Sequence, residues 1–335
     1  MLSIPLPFIV GLVIALTLYR NLKGVETPGS KRYFVVFLMA YAMQGAIIGL
    51  RFGYGVEWLH VVQPVTAALM PPLAYLAFRS LAATPVARPA LHLVAPLLVL
   101  LAVALLPLLV DLLLMLEFIC YGVLLFSLTL KGSNALAETS LQRMVPAMRA
   151  ARLSAILLLF FGIFDAALAV VSLFYGNALV PLAVTAMNFT ALFIVTLYYF
   201  VPDFFGREQA APSGAAVAGT NAEDEALLAR IEAALDSNDL YRQEDLSLAK
   251  LARRTGATAR EVSAAINRAT GLNVSQFVNN RRIREACRLL EETNQPLTAL
   301  MFECGFGTKS NFNREFRRVT GKSPSEWRAQ ARLKN

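Results

Sequence analysis

From about residue 4 to residue 200 the chain alternates between long apolar runs and short polar loops. Seven runs stand out, at about 4–20, 33–50, 58–79, 89–107, 111–130, 153–175 and 178–200. A helix needs about 20 residues to cross the hydrocarbon of a bilayer, and each run suffices. Only Pro107 and Asp111 interrupt the stretch PLLVLLAVALLPLLVDLLLMLEFICYGVLLF, which is too long for one span and suits a tight hairpin. After Phe200 the pattern stops. The stretch REQAAPSGAAVAGTN at 207–221 has nothing large to bury and reads as a flexible connector. Helical periodicity resumes near Glu223, where Leu227, Leu228, Ile231 and Leu235 fall on one stripe. No alternating strand pattern follows. The expectation is therefore an all-α protein: a seven-helix transmembrane bundle over 1–202, a linker over 203–222, and a soluble all-helical domain over 223–335.

Composition strengthens the first half of this reading and changes the second. The chain is 56% hydrophobic and 16% charged, against about 25% charged in an ordinary globular protein. Net charge is +8, unevenly spread. From Leu246 onward seventeen Lys and Arg face seven Asp and Glu, a local balance of +10 that points to a polyanionic partner. The loops between the apolar runs are asymmetric too. With the C-terminus inside, the inner loops hold Arg20, Lys23, Lys31, Arg32, Arg79, Arg88, Lys131, Arg143, Arg149 and Arg152, and the outer loops hold only Arg51. That is the asymmetry the positive-inside rule expects for a multi-pass protein of the cytoplasmic (inner) membrane, N-terminus outside and C-terminal domain inside. MLSIPLPFIV has no positive side chain ahead of its apolar run, and Arg20 follows it, the reverse of a secretory signal. It is read as a retained first span.

The polar C-terminal part contains a repeat. LARRTGATAREVSAAINRATG (251–271) and MFECGFGTKSNFNREFRRVTG (301–321) each pass from a short helix through a glycine to a threonine and a second helix. Apolar residues four apart line the second helix, Val262 and Ile266 or Phe312 and Phe316. Both copies end in Arg-x-Thr-Gly. Capping boxes are expected at Thr258/Glu261, Asn273/Gln276 and Ser323/Glu326, and left-handed caps at Gly271 and Gly321. The long helix between the copies carries the stripe Phe277, Ile283, Ala286, Leu289 and Leu290, placed to pack on both. LSLAKLARRTG (246–256), the Arg-Ile pair of NNRRIREACRLL (279–290) and above all CGFGTKSNFNREFRRVTGKSPSEWR (304–328) resemble the DNA-binding domain of AraC-type transcriptional regulators, over about 224–332. Ala264 departs from the family, where a basic residue is common.

The resemblance implies duplex DNA as the partner, with the second helix of each copy in the major groove. It implies base contacts from Arg260 and Ser263 in the first such helix and from Lys309, Ser310 and Arg314 in the second. An arginine can pair with guanine O6 and N7 through two hydrogen bonds. Asn267, Asn313, Arg317, Arg281 and Arg282 are expected at phosphates, which position the protein without reading sequence.

In the apolar half, Asp165 lies near the middle of the sixth run, Glu117 in the outer third of the fifth, and Gln44 and Asn188 at depth in the second and seventh. Polar groups there are costly and are candidates for sensing a signal such as a small-molecule ligand. His60 and Arg51 sit near the outer ends of their runs. The seventh run, ALVPLAVTAMNFTALFIVTLYYF, has no lysine and so no Schiff-base site for retinal. Cys120, Cys287 and Cys304 are far apart and the two histidines, His60 and His92, are both in the apolar half, so no zinc motif is expected. No P-loop or nucleophile elbow is present, and the reading calls for no enzyme, no cofactor and no metal. The expectation is a membrane-anchored DNA-binding regulator, partnered by duplex DNA, the lipid bilayer and a second copy of itself. A transporter or membrane enzyme carrying a regulatory DNA-binding tail is the alternative.

Overall fold

The computed structural model describes residues 4–23, 25, 30–82, 86, 88–200 and 222–334. It divides into two units. One comprises Met1–Leu136 with Val145–Phe205, and the other Ala137–Met144 with Gly206–Asn335. The connector expected at 203–222 lies, but for Ala222, outside the described residues.

The first unit contains α1 (Leu6–Leu22), α2 (Ser30–Tyr54), α3 (Leu59–Ala68), α4 (Met70–Arg79), α5 (Val94–Leu105), α6 (Val110–Leu130), α7 (Met144–Tyr175) and α8 (Val180–Phe200). These helices fall on the seven apolar runs. Among the described residues, however, five segments are long and apolar enough to cross a membrane, not seven: Arg32–Tyr54, Leu59–Arg79, Pro107–Leu130, Met144–Tyr175 and Val180–Tyr199. Leu6–Leu22 and Pro89–Leu105 are apolar but shorter. Prolines explain several of the departures. Pro71 and Pro72 open α4 and break the third run at Leu69, because proline offers no amide hydrogen to the preceding turn. Pro89 and Pro107 each begin a 3-10 turn, so the regular helix between them has only 12 residues. The tight hairpin expected near Pro107 forms at residues 106–109.

Small residues let these helices approach closely. A Cβ added at Gly45 on α2 would lie 2.9 Å from the Cα of Gly11 on α1, so the two backbones meet directly. Leu12, Leu16, Val35, Met39, Leu97, Leu101, Leu116, Val123, Leu182, Phe189 and Phe193 point outward and are exposed. An exposed apolar surface of that extent marks a membrane or protein interaction surface.

The second unit is built mainly of helices: α9 (Ala222–Asp236), α10 (Leu248–Thr255), α11 (Ala259–Thr270), α12 (Val274–Glu292), α13 (Leu297–Glu303), α14 (Lys309–Thr320) and α15 (Pro324–Lys334). It has two cores. Leu227, Ile231 and Leu235 of α9 join Leu251, Val262 and Ile266 in the first. Phe306, Phe312 and Phe316 build the second, with Trp327 against it. α12 supplies both, sending Val274 and Val278 into one and Ile283, Ala286, Leu289 and Leu290 into the other. The expected apolar stripe of this helix is the hinge between the two cores.

Candidate nucleic-acid interface

Each half of the second unit is a helical hairpin closed by local chemistry. In the first, Ser247 caps α10 by accepting from the Lys250 amide at 3.1 Å, and Gly256 ends the helix in the left-handed conformation. Thr258 then caps α11. Its hydroxyl accepts from the Glu261 amide at 3.2 Å while the Glu261 carboxylate accepts from the Thr258 amide at 2.7 Å. The hydrogen bond from the Thr258 amide favours the ionised form of Glu261, and its carboxyl is held below the usual range. In the second, α13 leads through Gly305 to Thr308, which caps α14. Gly305 has φ +83°, and a Cβ there would lie 2.3 Å from the Arg242 carbonyl oxygen. Sterics and backbone conformation both demand glycine at this turn. The capping boxes expected at Asn273/Gln276 and Ser323/Glu326 form with hydrogen bonds of 2.7–3.3 Å.

α11 and α14 are the second helices of their hairpins, and each buries one face. Val262 and Ile266 point into the first core. Phe312 and Phe316 point into the second, in a line of edge-on rings from Phe306 to Trp327 with centroids 5.3–6.0 Å apart. The opposite faces carry the expected DNA contacts. Arg260, Asn267, Lys309, Ser310, Asn313, Arg314 and Arg317 are exposed, and Ser263 is partly so. Arg314 is held in place: its Nη2 donates to Asn311 Oδ1 at 2.6 Å and its Nε to Glu315 Oε1 at 3.2 Å. The buried Glu315 also accepts from Arg318 at 2.9 Å. This carboxylate therefore orders two arginines on the outer side of α14.

Two residues expected at phosphates are engaged within the fold. Arg281 donates to Asp236 at 2.8 Å and lies 5.1 Å from the Tyr241 ring. Arg282 requires a correction. It is fully buried, donating from Nε to the Tyr241 carbonyl at 2.6 Å and from Nη2 to the Gln243 carbonyl at 2.8 Å, over the Phe306 ring. Burial lowers its pKa to about 10. A guanidinium enclosed in this way cannot reach a phosphate. It ties the segment before α10 to α12. Its neighbour Glu285, a residue for which the sequence suggested no role, pairs with Arg242 at 2.6 Å and Arg288 at 2.8 Å. Nothing in the periodicity separated the buried Arg282 from the basic residues outside.

Cys287 and Cys304 are free thiols whose pKa values burial raises to about 11 and about 12. Among the described residues no three metal-ligating side chains come together.

The candidate sensing residues lie in the first unit. Gln44, Asp165 and Asn188, from α2, α7 and α8, line one cavity of about 290 Å³ with Tyr41, Arg51, Gln63 and Asp111. Gln44 accepts from Thr66 at 2.8 Å, and Arg51 donates to Gln63 at 2.5 Å. Asn188 donates to the Val184 carbonyl of its own helix at 2.8 Å. Glu117 is not among the lining residues. It is buried elsewhere, and neither carboxylate oxygen has a hydrogen-bond partner among the described residues.

Residues 251–330 match the family model of a helix-turn-helix domain. The second unit carries a helix-turn-helix domain. An uncharacterized HTH-type transcriptional regulator of Staphylococcus aureus is similar to it, 27% identical over 99 residues, which is 30% of this chain and 13% of that protein. The HTH-type transcriptional activator RhaS of Pectobacterium carotovorum subsp. carotovorum (strain PC1) is 27% identical over 88 residues, 26% of this chain and 32% of that protein. The chain thus spans between about an eighth and a third of the length of these curated relatives. No solved structure matches the chain. The helix-turn-helix match runs from the middle of α10 into α15, so it takes in both hairpins and the α12 that joins them.

Proposed function

We propose that this protein is a membrane-anchored transcription regulator of the AraC type that binds duplex DNA through α11 and α14. One observation carries the reading. Two capped helix-turn-helix hairpins are joined by one helix, and each buries the apolar face of its second helix and turns a basic, polar face outward. Arg260, Ser263, Lys309, Ser310 and Arg314 are the proposed base contacts. Asn267, Asn313 and Arg317 are the proposed phosphate contacts, with Arg281 joining them when it leaves Asp236. The names of the relatives, transcription regulators rather than enzymes, support the same class.

The membrane reading places seven spans across the inner membrane, N-terminus outside and helix-turn-helix domain inside. The asymmetry of loop charge supports it, as do the five long apolar helices and the outward-facing apolar side chains. The cavity that gathers Gln44, Asp165 and Asn188 supports a role in sensing a small molecule.

The decisive experiment is binding of the full chain, in detergent or nanodiscs, to genomic DNA fragments, followed by salt titration on the recovered sites. Affinity falls with salt, with a log–log slope of about −0.9 for each phosphate neutralised. Salt-independent binding, or none, refutes the function. A reporter fused after Asn335 that is active only outside the cytoplasm refutes the topology. Asp165→Asn changes target-gene output at unchanged protein level if the cavity senses. Output that tracks protein level alone refutes that part.

A further inference from the structure

A piece of the loop between α6 and α7 belongs to the helix-turn-helix unit. Ala137–Met144 lies in sequence between two helices of the apolar unit, yet it is part of the second unit. Its backbone pairs at one isolated bridge with the residues that open α10. The Leu141 amide donates to the Leu246 carbonyl at 2.9 Å, and the Ala249 amide donates to the Ala137 carbonyl at 2.9 Å. Ser140 and Ser247 form an antiparallel bridge between these bonds. Ala137 and Leu141 are buried in the first core beside Ile231, Leu246 and Val278.

The same segment reaches the second hairpin. The Gln142 amide group donates to the Gly305 carbonyl, and Gln142 Oε1 accepts from the Gly307 amide at 2.9 Å. One side chain thus satisfies both polar groups of the turn between α13 and α14. A Cβ at Gly307 would lie 3.3 Å from Gln142 Oε1 and 1.9 Å from Glu244 Oε1, so this turn is shaped to be covered. Ser275, near the start of α12, donates to the Leu141 carbonyl at 3.2 Å. Eight residues therefore grip the N-terminus of α10, the start of α12 and the turn before α14. Those points lie in both hairpins and on the helix that joins them.

We propose that Ala137–Met144 is the input segment of the helix-turn-helix domain: a strap, continuous in sequence with α6 and α7, whose docking across both hairpins sets DNA affinity. Main-chain hydrogen bonds of this kind hold a segment to an exposed backbone edge, with side chains adding specificity. A shift in the helices that flank the strap then changes DNA binding without a ligand reaching the domain. The inference rests on the DNA-binding reading above for its output, though not for the docking itself.

Two measurements on the full chain in membranes test it. For docking, Ser140→Cys is combined with Ser247→Cys, Cys120 and Cys287 are replaced by alanine, and a protease site is inserted between Pro212 and Ser213. An antiparallel pair has Cα atoms about 4.5–5.5 Å apart, within the range that a disulfide spans. After mild oxidation and cleavage, most chains are expected to stay full length on a non-reducing gel. A control pair, Ser140→Cys with Ser325→Cys, is expected to separate into two fragments. Equal separation of both pairs overturns the docking. For output, Gln142→Glu keeps the size of the side chain and its acceptor but removes the donor to Gly305, and Gln142→Ala removes both. Each is expected to change affinity for a recovered DNA site by about two- to tenfold, with the crosslink still forming. A crosslink that forms while both variants bind DNA as wild type overturns the input role. A wild-type chain that crosslinks but binds no DNA overturns the function proposed above, and the input role with it, while leaving the docking in place.

Discussion

Replacing Arg282 separates a structural arginine from a DNA contact most sharply. Its guanidinium makes two hydrogen bonds, to the carbonyls of Tyr241 and Gln243. A bond from a charged donor contributes about 1.5–3 kcal/mol net, so two contribute about 3–6 kcal/mol. Nη1 is buried without a partner among the described residues, and removing that unsatisfied donor offsets about 1–3 kcal/mol. Taking the middle of these ranges, Arg282→Ala is expected to destabilise the second unit by about 2–3 kcal/mol. The chain has two tryptophans, Trp58 and Trp327, and Trp327 packs 6.0 Å from Phe316 in the second core. In a Trp58→Phe background, Trp327 fluorescence reports unfolding of this unit alone. With a urea m-value of about 2 kcal/mol/M, the midpoint drops by about 1–1.5 M. DNA affinity measured at low temperature, where the variant is still folded, stays near wild type. An unchanged midpoint with weakened, less salt-dependent DNA binding refutes the structural role and restores Arg282 to the phosphate set.

Arg314 and Arg317 are both exposed on α14 but should fail differently. Arg314→Ala weakens specific binding by about 1–3 kcal/mol and relaxes preference at one base pair, whereas Arg317→Ala weakens all sequences alike and lowers the salt slope by about one. Equal losses on specific and random DNA for Arg314→Ala refute its assignment as a base reader. Phe316 is fully buried between Phe312 and Trp327, so Phe316→Ala costs about 3–5 kcal/mol of stability. A urea midpoint within error of wild type would show that the second core does not depend on it.

The legible part of this protein was the part written in local pattern. Apolar runs placed the helices of the first unit because a helix apolar on most of its faces reads as a continuous apolar run. Caps and glycines placed α10, α11, α12, α14 and α15, because an N-cap hydroxyl and a left-handed glycine act within four residues of their partners. The outward faces of α11 and α14 followed from the spacing of Val262, Ile266, Phe312 and Phe316 alone. Helix lengths were less legible, since prolines at 71, 72, 89 and 107 cut the regular segments inside runs that look continuous. Tertiary structure alone decided which charges are inside. Arg281 and Arg282 are adjacent and alike in sequence, yet a rotation of about 100° along α12 leaves one partly exposed and buries the other under Phe306. It alone gathered Gln44, Asp165 and Asn188 around one cavity and left Glu117 outside it. It also assigned Ala137–Met144 to the second unit. Eight residues that read as an ordinary polar loop reveal their role only through partners more than one hundred positions away, a distance at which no local periodicity carries information.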